Sequence, residues 1–252
     1  MYSRLRIAIS VAALAVVAGA CGSDSPTQPA TQQVTLNEAL AVLSLPALNT
    51  ARATFGGATE ATPALTAARC PYNSTTASFV CTTVNSGGLT IDQDFILLST
   101  TGAPQSAFDG ATTDGVQALT TIGGSYTASG VTYTADGAQT LTLSGLQSST
   151  RTLEGTGVVT VTADDGTNPP QTLTITETMS GLKIPAASAS ATVWPSSGTV
   201  TLESVVDGGG VSSTSTVTMT FNGTSTVHVV VVSDGATTTC DVDFASPNPS
   251  CG

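Results

Sequence analysis

The sequence predicts an all-β fold, an antiparallel meander that forms either a curled half-barrel or a β-sandwich, with one short N-terminal helix. Three observations carry this expectation. Val, Leu and Ile alternate with Thr and Ser through much of the chain, which is the period of a half-buried strand. Charged residues are 9% of the 252 while apolar residues are 40%, a balance that favours a packed core over disorder, and the abundant β-branched side chains fit a pleated surface. Finally, Gly-containing turn pairs separate the alternating runs at short intervals, leaving little room for helices between them.

The chain opens with Arg4 and Arg6, an apolar run from Ile7 to Val17, and Ala18-Gly19-Ala20-Cys21. A basic start, a short apolar segment and small residues before a cut site describe a secretory signal peptide over residues 1–20, too short to span a membrane as a helix. At the cut site the chain resembles the bacterial lipoprotein signal, in which small residues precede a Cys that is diacylated and becomes the mature N-terminus. Cys21 occupies that place, although Ala18 stands where Leu is commonest. Ala18-Gly19-Ala20 also satisfies the rule for simple secretion. Cysteine counting favours lipidation: of 5 Cys, acylation of Cys21 leaves Cys70, Cys81, Cys240 and Cys251, an even set able to close two disulfides. Residues 21–33 are polar and Pro-containing without apolar periodicity, as a flexible tether should be. Residues 34–252 then form a single all-β domain. The resemblance implies an extracytoplasmic, membrane-anchored protein of the periplasm or cell surface, held by its lipid. One acyl chain binds membranes only marginally, and the lipoprotein modification supplies more than one.

Composition narrows the partners. The formal charge is −11, from 17 acidic and 6 basic residues. Removing Arg4 and Arg6 with the leader leaves 4 basic residues against the 17 acidic ones, a charge of −13. Nucleic acid binding requires clustered Lys and Arg, whereas Arg52, Arg69, Arg151 and Lys183 are scattered. Anionic head groups are disfavoured for the same reason, so membrane contact is expected through the lipid.

Beyond the tether, Thr35-Leu36-Asn37-Glu38 is a capping box opening a helix over Leu36 to Leu45. Leu36, Ala39, Leu40 and Leu43 share its face, and Pro46 marks its end. Ala47 to Ala68 reads as loosely structured. Cys70 and Cys81 bracket a loop suited to a disulfide, which stabilises by about 3 kcal/mol on the loop-entropy estimate. Their spacing is not that of zinc ligands. Leu89, Ile91, Phe95 and Leu97 then share one strand face and Thr90, Asp92 and Asp94 the other. Asp92 and Asp94 offer carboxylate oxygens to a hard cation, but no calcium-loop pattern accompanies them and solvent-facing carboxylates are the preferred reading. No metal or cofactor motif is present. Further strands are expected at Val131/Tyr133, Leu141/Leu143, Val159/Val161 and Leu173/Ile175, with turns at Asp136-Gly137, Asp165-Gly166 and Asp234-Gly235. Glu177 falls by parity among Leu173, Ile175 and Met179. It therefore sits near a strand end or inside, where it would need a partner, with Lys183 and Arg151 as candidates. Trp194 precedes a turn and is expected to pack there.

The last strands permit a register argument. Val217, Met219 and Phe221 are apolar at odd positions, as are Val227, Val229 and Val231. A three-residue loop, Phe221 to Gly223 or Asn222 to Thr224, pairs odd with odd and keeps one apolar face. Asp234-Gly235 as a two-residue turn sets Val229 opposite Cys240, Val227 opposite Val242 and His228 opposite Asp241. Thr216 or Thr218 is expected on the other side of His228. This Thr-His-Asp row is the constellation nearest to a catalytic triad, but it lies on a polar sheet face without a nucleophile turn or oxyanion donors, so a cross-strand charge pair is preferred. Cys240 and Cys251 enclose a second loop of the same length as the first, and four cysteines allow three connectivities.

Three functions fit these observations. The first is a non-catalytic, lipid-anchored envelope protein with a structural or protein-binding role. The second is a carrier of an apolar ligand in a half-barrel, which rests on fold-level analogy. The third is a secreted hydrolase using His228. No catalytic motif supports an enzyme.

Overall fold

Thr and Val alternate over runs far longer than an average strand, and the chain uses them to build long neighbours in one sheet. The computed structural model describes residues 70–128, 130–185, 194–243 and 249–251. The tether, Cys21 and the expected helix over Leu36 to Leu45 lie outside the described residues. The strands are β1 (Tyr72–Asn73), β2 (Ser78–Val80), β3 (Val84–Ser86), β4 (Leu89–Ser99), β5 (Pro104–Gln105), β6 (Thr113–Ala128), β7 (Val131–Ser144), β8 (Thr150–Asp164), β9 (Gln171–Pro185), β10 (Ser197–Gly208), β11 (Val211–Thr220), β12 (Thr226–Ser233), β13 (Ala236–Asp243) and β14 (Pro249–Cys251). All belong to a single antiparallel sheet of 14 strands in near-sequential order. The sheet does not close into a barrel, and the expected all-β antiparallel meander is what the described residues form.

The register divides the sheet into two chemically distinct faces. Successive partners Phe95, Ala118, Leu141, Gly155, Met179, Val200, Met219, Val229 and Cys240 run across one face from β4 to β13. Leu97, Leu153 and Val227, also on this face, are 0% exposed. The other face carries Thr at position after position. Thr140, Thr156, Thr178, Thr201 and Thr218 are consecutive register partners, and hydroxyl pairs such as Thr162–Thr172 at 3.3 Å link neighbouring strands.

Glycines and a bulge curl the sheet toward its apolar side. A Cβ on Gly137 would stand 2.7 Å from the Val158 carbonyl oxygen, and one on Gly155 would stand 2.3 Å from that of Thr140. Both positions face the apolar side, so the neighbouring backbone rises on that side and the face is concave. On β9 an extra residue at Ser180–Gly181 shifts the register with both neighbours, with Gly181 at φ 55. This bulge reverses the parity of the strand, and Met179, Leu182 and Ile184 all join the same buried cluster.

Two sequence expectations are corrected. Asp136-Gly137 is no turn but the middle of the 14-residue β7. The β11–β12 connection keeps odd paired with odd, yet its last printed pair is Thr220 with His228, so the loop is longer than three residues. Asn222 Oδ1 accepts from the Thr224 amide at 3.1 Å and from its hydroxyl at 2.7 Å, an Asx-type turn that stabilises the wider connection. The Asp234-Gly235 turn places Val229 opposite Cys240, Val227 opposite Val242 and His228 opposite Asp241, as expected. Cys70 and Cys81 are disulfide-bonded. Cys240 is also in a disulfide, and Cys251 lies directly opposite it in the register.

Candidate functional site

Between β4 and β9 one polar row crosses the middle of the concave face. Gln93 of β4, Thr120 of β6, Gln139 of β7, Gly157 of β8 and Glu177 of β9 are successive register partners. Gly157 has no side chain, so Gln139 reaches across it and its Nε2 donates to Glu177 Oε2 at 2.7 Å. Gln93 Nε2 donates to the Thr120 hydroxyl at 3.4 Å. Burial pushes the Glu177 carboxyl above its ordinary value, and the Gln139 hydrogen bond opposes that rise in part. A carboxyl in this setting favours its neutral form. Glu177 thus sits inside, in mid-strand. Its partner is an amide, where the sequence had suggested Lys183 or Arg151. Those two occupy other rows, Lys183 opposite Thr152 and Arg151 opposite Ile184. The signal that could have found Gln139 is its odd parity, shared with Leu141 and Leu143.

The row beside this polar stripe is aliphatic and only half-buried. Ile91, Ile122, Gly137, Val159 and Ile175 succeed one another from β4 to β9, and the four aliphatic side chains all retain partial exposure. Apolar surface continues from there along β6 to β8, where Ile122 and Val159 pack against the cluster of Leu89, Tyr133, Ala135 and Val161. The Tyr133 ring stacks on Tyr126 with centroids 5.0 Å apart. Tyr133 is 2% exposed, and its buried hydroxyl has no hydrogen-bond partner among the described residues.

His228 and Asp241 meet on the opposite, threonine-rich face. His228 Nδ1 and Asp241 Oδ1 are 3.0 Å apart, with side chains 52% and 63% exposed. The residue opposite His228 on β11 is Thr220, whereas Thr216 and Thr218 oppose Val232 and Val230. Asp92 is exposed on the same face and accepts a hydrogen bond from the Thr83 hydroxyl. Asp94 is half-buried there. Among the described residues no group of three His, Cys, Asp or Glu side chains is placed to hold a metal ion. Trp194 is half-buried before β10, beside the Pro195 carbonyl that accepts from the Gly223 amide at 2.9 Å.

Comparison with protein-family models, with curated proteins and with solved structures finds no match to this chain.

Proposed function

We propose that the protein is a non-catalytic, lipid-anchored component of the bacterial cell envelope, with Cys21 acylated and the sheet serving a structural or protein-binding role. The observation that supports the non-catalytic reading is where His228 and Asp241 stand. Both side chains are more than half exposed on an open sheet face, in water. Acyl transfer draws its rate from fixed donors in a water-excluded pocket, and an exposed ion pair of this kind contributes little even to stability. The purified protein should therefore show no esterase or peptidase activity that His228→Ala removes. A hydrolytic rate abolished by that substitution would overturn the reading. The mass of the mature protein checks the anchor, which requires a chain beginning at an acylated Cys21.

A second reading, a carrier of an apolar ligand, is favoured by the partly exposed row of Ile91, Ile122, Val159 and Ile175 on the concave face. Native mass spectrometry separates the two on a Cys21→Ser variant, which carries no acyl chains of its own. A bare mass supports the structural role, and a non-covalent lipid adduct supports the carrier.

A further inference from the structure

We propose that the segment from Leu36 to Leu45 of the chain itself occupies the concave face between β4 and β9, lying as a helix across the row of Ile91, Ile122, Val159 and Ile175. The segment is outside the described residues, and its helix is the one expected from the capping box at Thr35. The proposal goes beyond both functional readings above and rests on neither.

Two apolar surfaces of one chain match each other. Ile91, Ile122, Val159 and Ile175 all retain partial exposure, and the described strands belong to one sheet. The residues packed with Ile122 and Val159 come from β4, β6, β7 and β8, their neighbours within that sheet. In the segment from Leu36 to Leu45, 7 of 10 residues are apolar. Leu36, Ala39, Leu40 and Leu43 make one stripe at helical spacing, and Ala41, Val42 and Leu45 extend the apolar surface round most of the helix. A helix apolar on nearly every side is a buried one. Laying one surface on the other removes both from water.

Dimensions and charge fit as well. Ten helical residues are about 15 Å long, and the row crosses five strands, about 19 Å at the interstrand spacing. The chain enters the sheet at Cys70, which is buried in a cluster with Phe79 and Leu97, and Leu97 is on the concave face. Residues 46–69 reach up to about 80 Å when extended, so the connection does not limit where the segment sits. Glu38 is the segment's one ionisable side chain, and helical spacing puts it opposite the stripe, away from the Glu177 carboxyl. A tethered segment also reaches the face at high effective concentration, which favours it over a second copy of the chain.

The test uses the mature full-length chain as Cys21→Ser. Methyl NMR should show nuclear Overhauser effects from Leu40 and Leu43 to Ile122 and Ile175, unchanged on about tenfold dilution. Leu40→Glu puts a charge into the contact and should lower Tm by about 5 °C or more. Ala41→Glu places the same side chain opposite the stripe and should stay within about 2 °C of the parent. Glu is a good helix former at both positions, so helix propensity does not separate the variants. Equal Tm in the two, or contacts from Leu40 to residues off the concave face, overturns the proposal. Contacts that vanish on dilution give the face to a second copy and overturn it too. If Leu40→Glu does not fold, deletion of residues 34–46 replaces it. The shortened chain should bind an apolar dye about threefold more strongly and release it when a peptide of residues 34–46 is added. No gain in dye binding, or no release, overturns the assignment.

Discussion

Gly155 and Gly157 lie two residues apart on the same face of β8, and substituting each by Ala tests how the sheet is curled. At Gly155 the new Cβ would stand 2.3 Å from the Thr140 carbonyl oxygen and 2.6 Å from Leu141 Cδ2. The first contact is backbone, which can move only by separating β7 from β8. Overpacking of this kind costs about 1–3 kcal/mol, against about 0.4–1 kcal/mol returned by the less flexible unfolded chain. A net loss of about 1.3 kcal/mol follows, or about 3–5 °C in Tm for a domain of this size. At Gly157 the nearest atoms are Gln139 Cγ at 3.1 Å and Cβ at 3.3 Å. A side chain can yield a few tenths of an ångström, so the unfolded-state gain roughly offsets the crowding and Gly157→Ala should lie within about 0.5 kcal/mol of the parent. Urea unfolding followed by circular dichroism measures both. If Gly155→Ala is as stable as Gly157→Ala, the close approach of β7 and β8 is not real and the concave reading fails with it.

Glu177 makes stability depend on pH with a defined sign. Burial raises its folded pKa above the ordinary 4.5, so its contribution is fully present below that value and is lost as pH rises through the folded pKa. Glu177→Gln retains an acceptor for Gln139 and should remove this dependence, so the variant gains on the parent as pH rises toward neutral. Parallel stability profiles for the two proteins would refute the burial of a titrating carboxyl. The Cys70–Cys81 bridge spans a sequence separation of 11, and its removal as Cys70→Ser with Cys81→Ser should cost about 3 kcal/mol, read as a lower urea midpoint. Non-reducing peptide mapping should return one peptide pair joining Cys70 to Cys81 and a second joining Cys240 to Cys251. A Cys70–Cys251 pair would contradict the sheet order.

Where local rules and side-chain parity agreed, the structure was legible in the sequence. Asp234-Gly235 was read correctly because the apolar positions change parity across it, from Val229 and Val231 to Cys240 and Val242, as a two-residue turn demands. Asp136-Gly137 carries the same dipeptide, but Tyr133, Ala135, Leu141 and Leu143 keep one parity on both sides. That parity belongs to an uninterrupted strand, and it outweighs the local turn preference of the pair. The bulge at Ser180–Gly181 was not legible, because Gly in a strand marks a bulge, a bend or a close approach alike. The Gln139–Glu177 pair is not legible in the sequence for two reasons. Its members are 38 residues apart and meet only once the registers of β7, β8 and β9 are known. In addition, a buried Glu suggests an opposite charge as its partner, whereas a carboxyl held toward its neutral form is satisfied by an amide.

The cysteines acquire their meaning from the order of the strands. An open sheet presents unpaired backbone at both edges, and proteins blunt such edges with short strands and local covers. The outer side of β4 is covered piecewise: β3 pairs Leu89 to Ile91, β2 pairs Asp94 and Phe95, and β5 pairs Leu97 and Leu98. The amide of Cys81 fills the gap by donating to the Gln93 carbonyl at 3.0 Å, and the bridge to Cys70 fixes the β1–β2 hairpin there. At the far edge β14 pairs with Cys240, Asp241 and Val242 of β13, and Cys240 is disulfide-bonded. Segments of two or three residues form too few hydrogen bonds to hold an edge by themselves, so the Cys70–Cys81 bridge holds the first edge, and the Cys240–Cys251 bridge expected from peptide mapping would do the same at the last. The equal spacing within the two Cys pairs reflects that shared task, a short out-and-back excursion pinned to the first and last parts of one sheet. Such ties form where the surroundings are oxidising, which accords with the extracytoplasmic location proposed from Cys21.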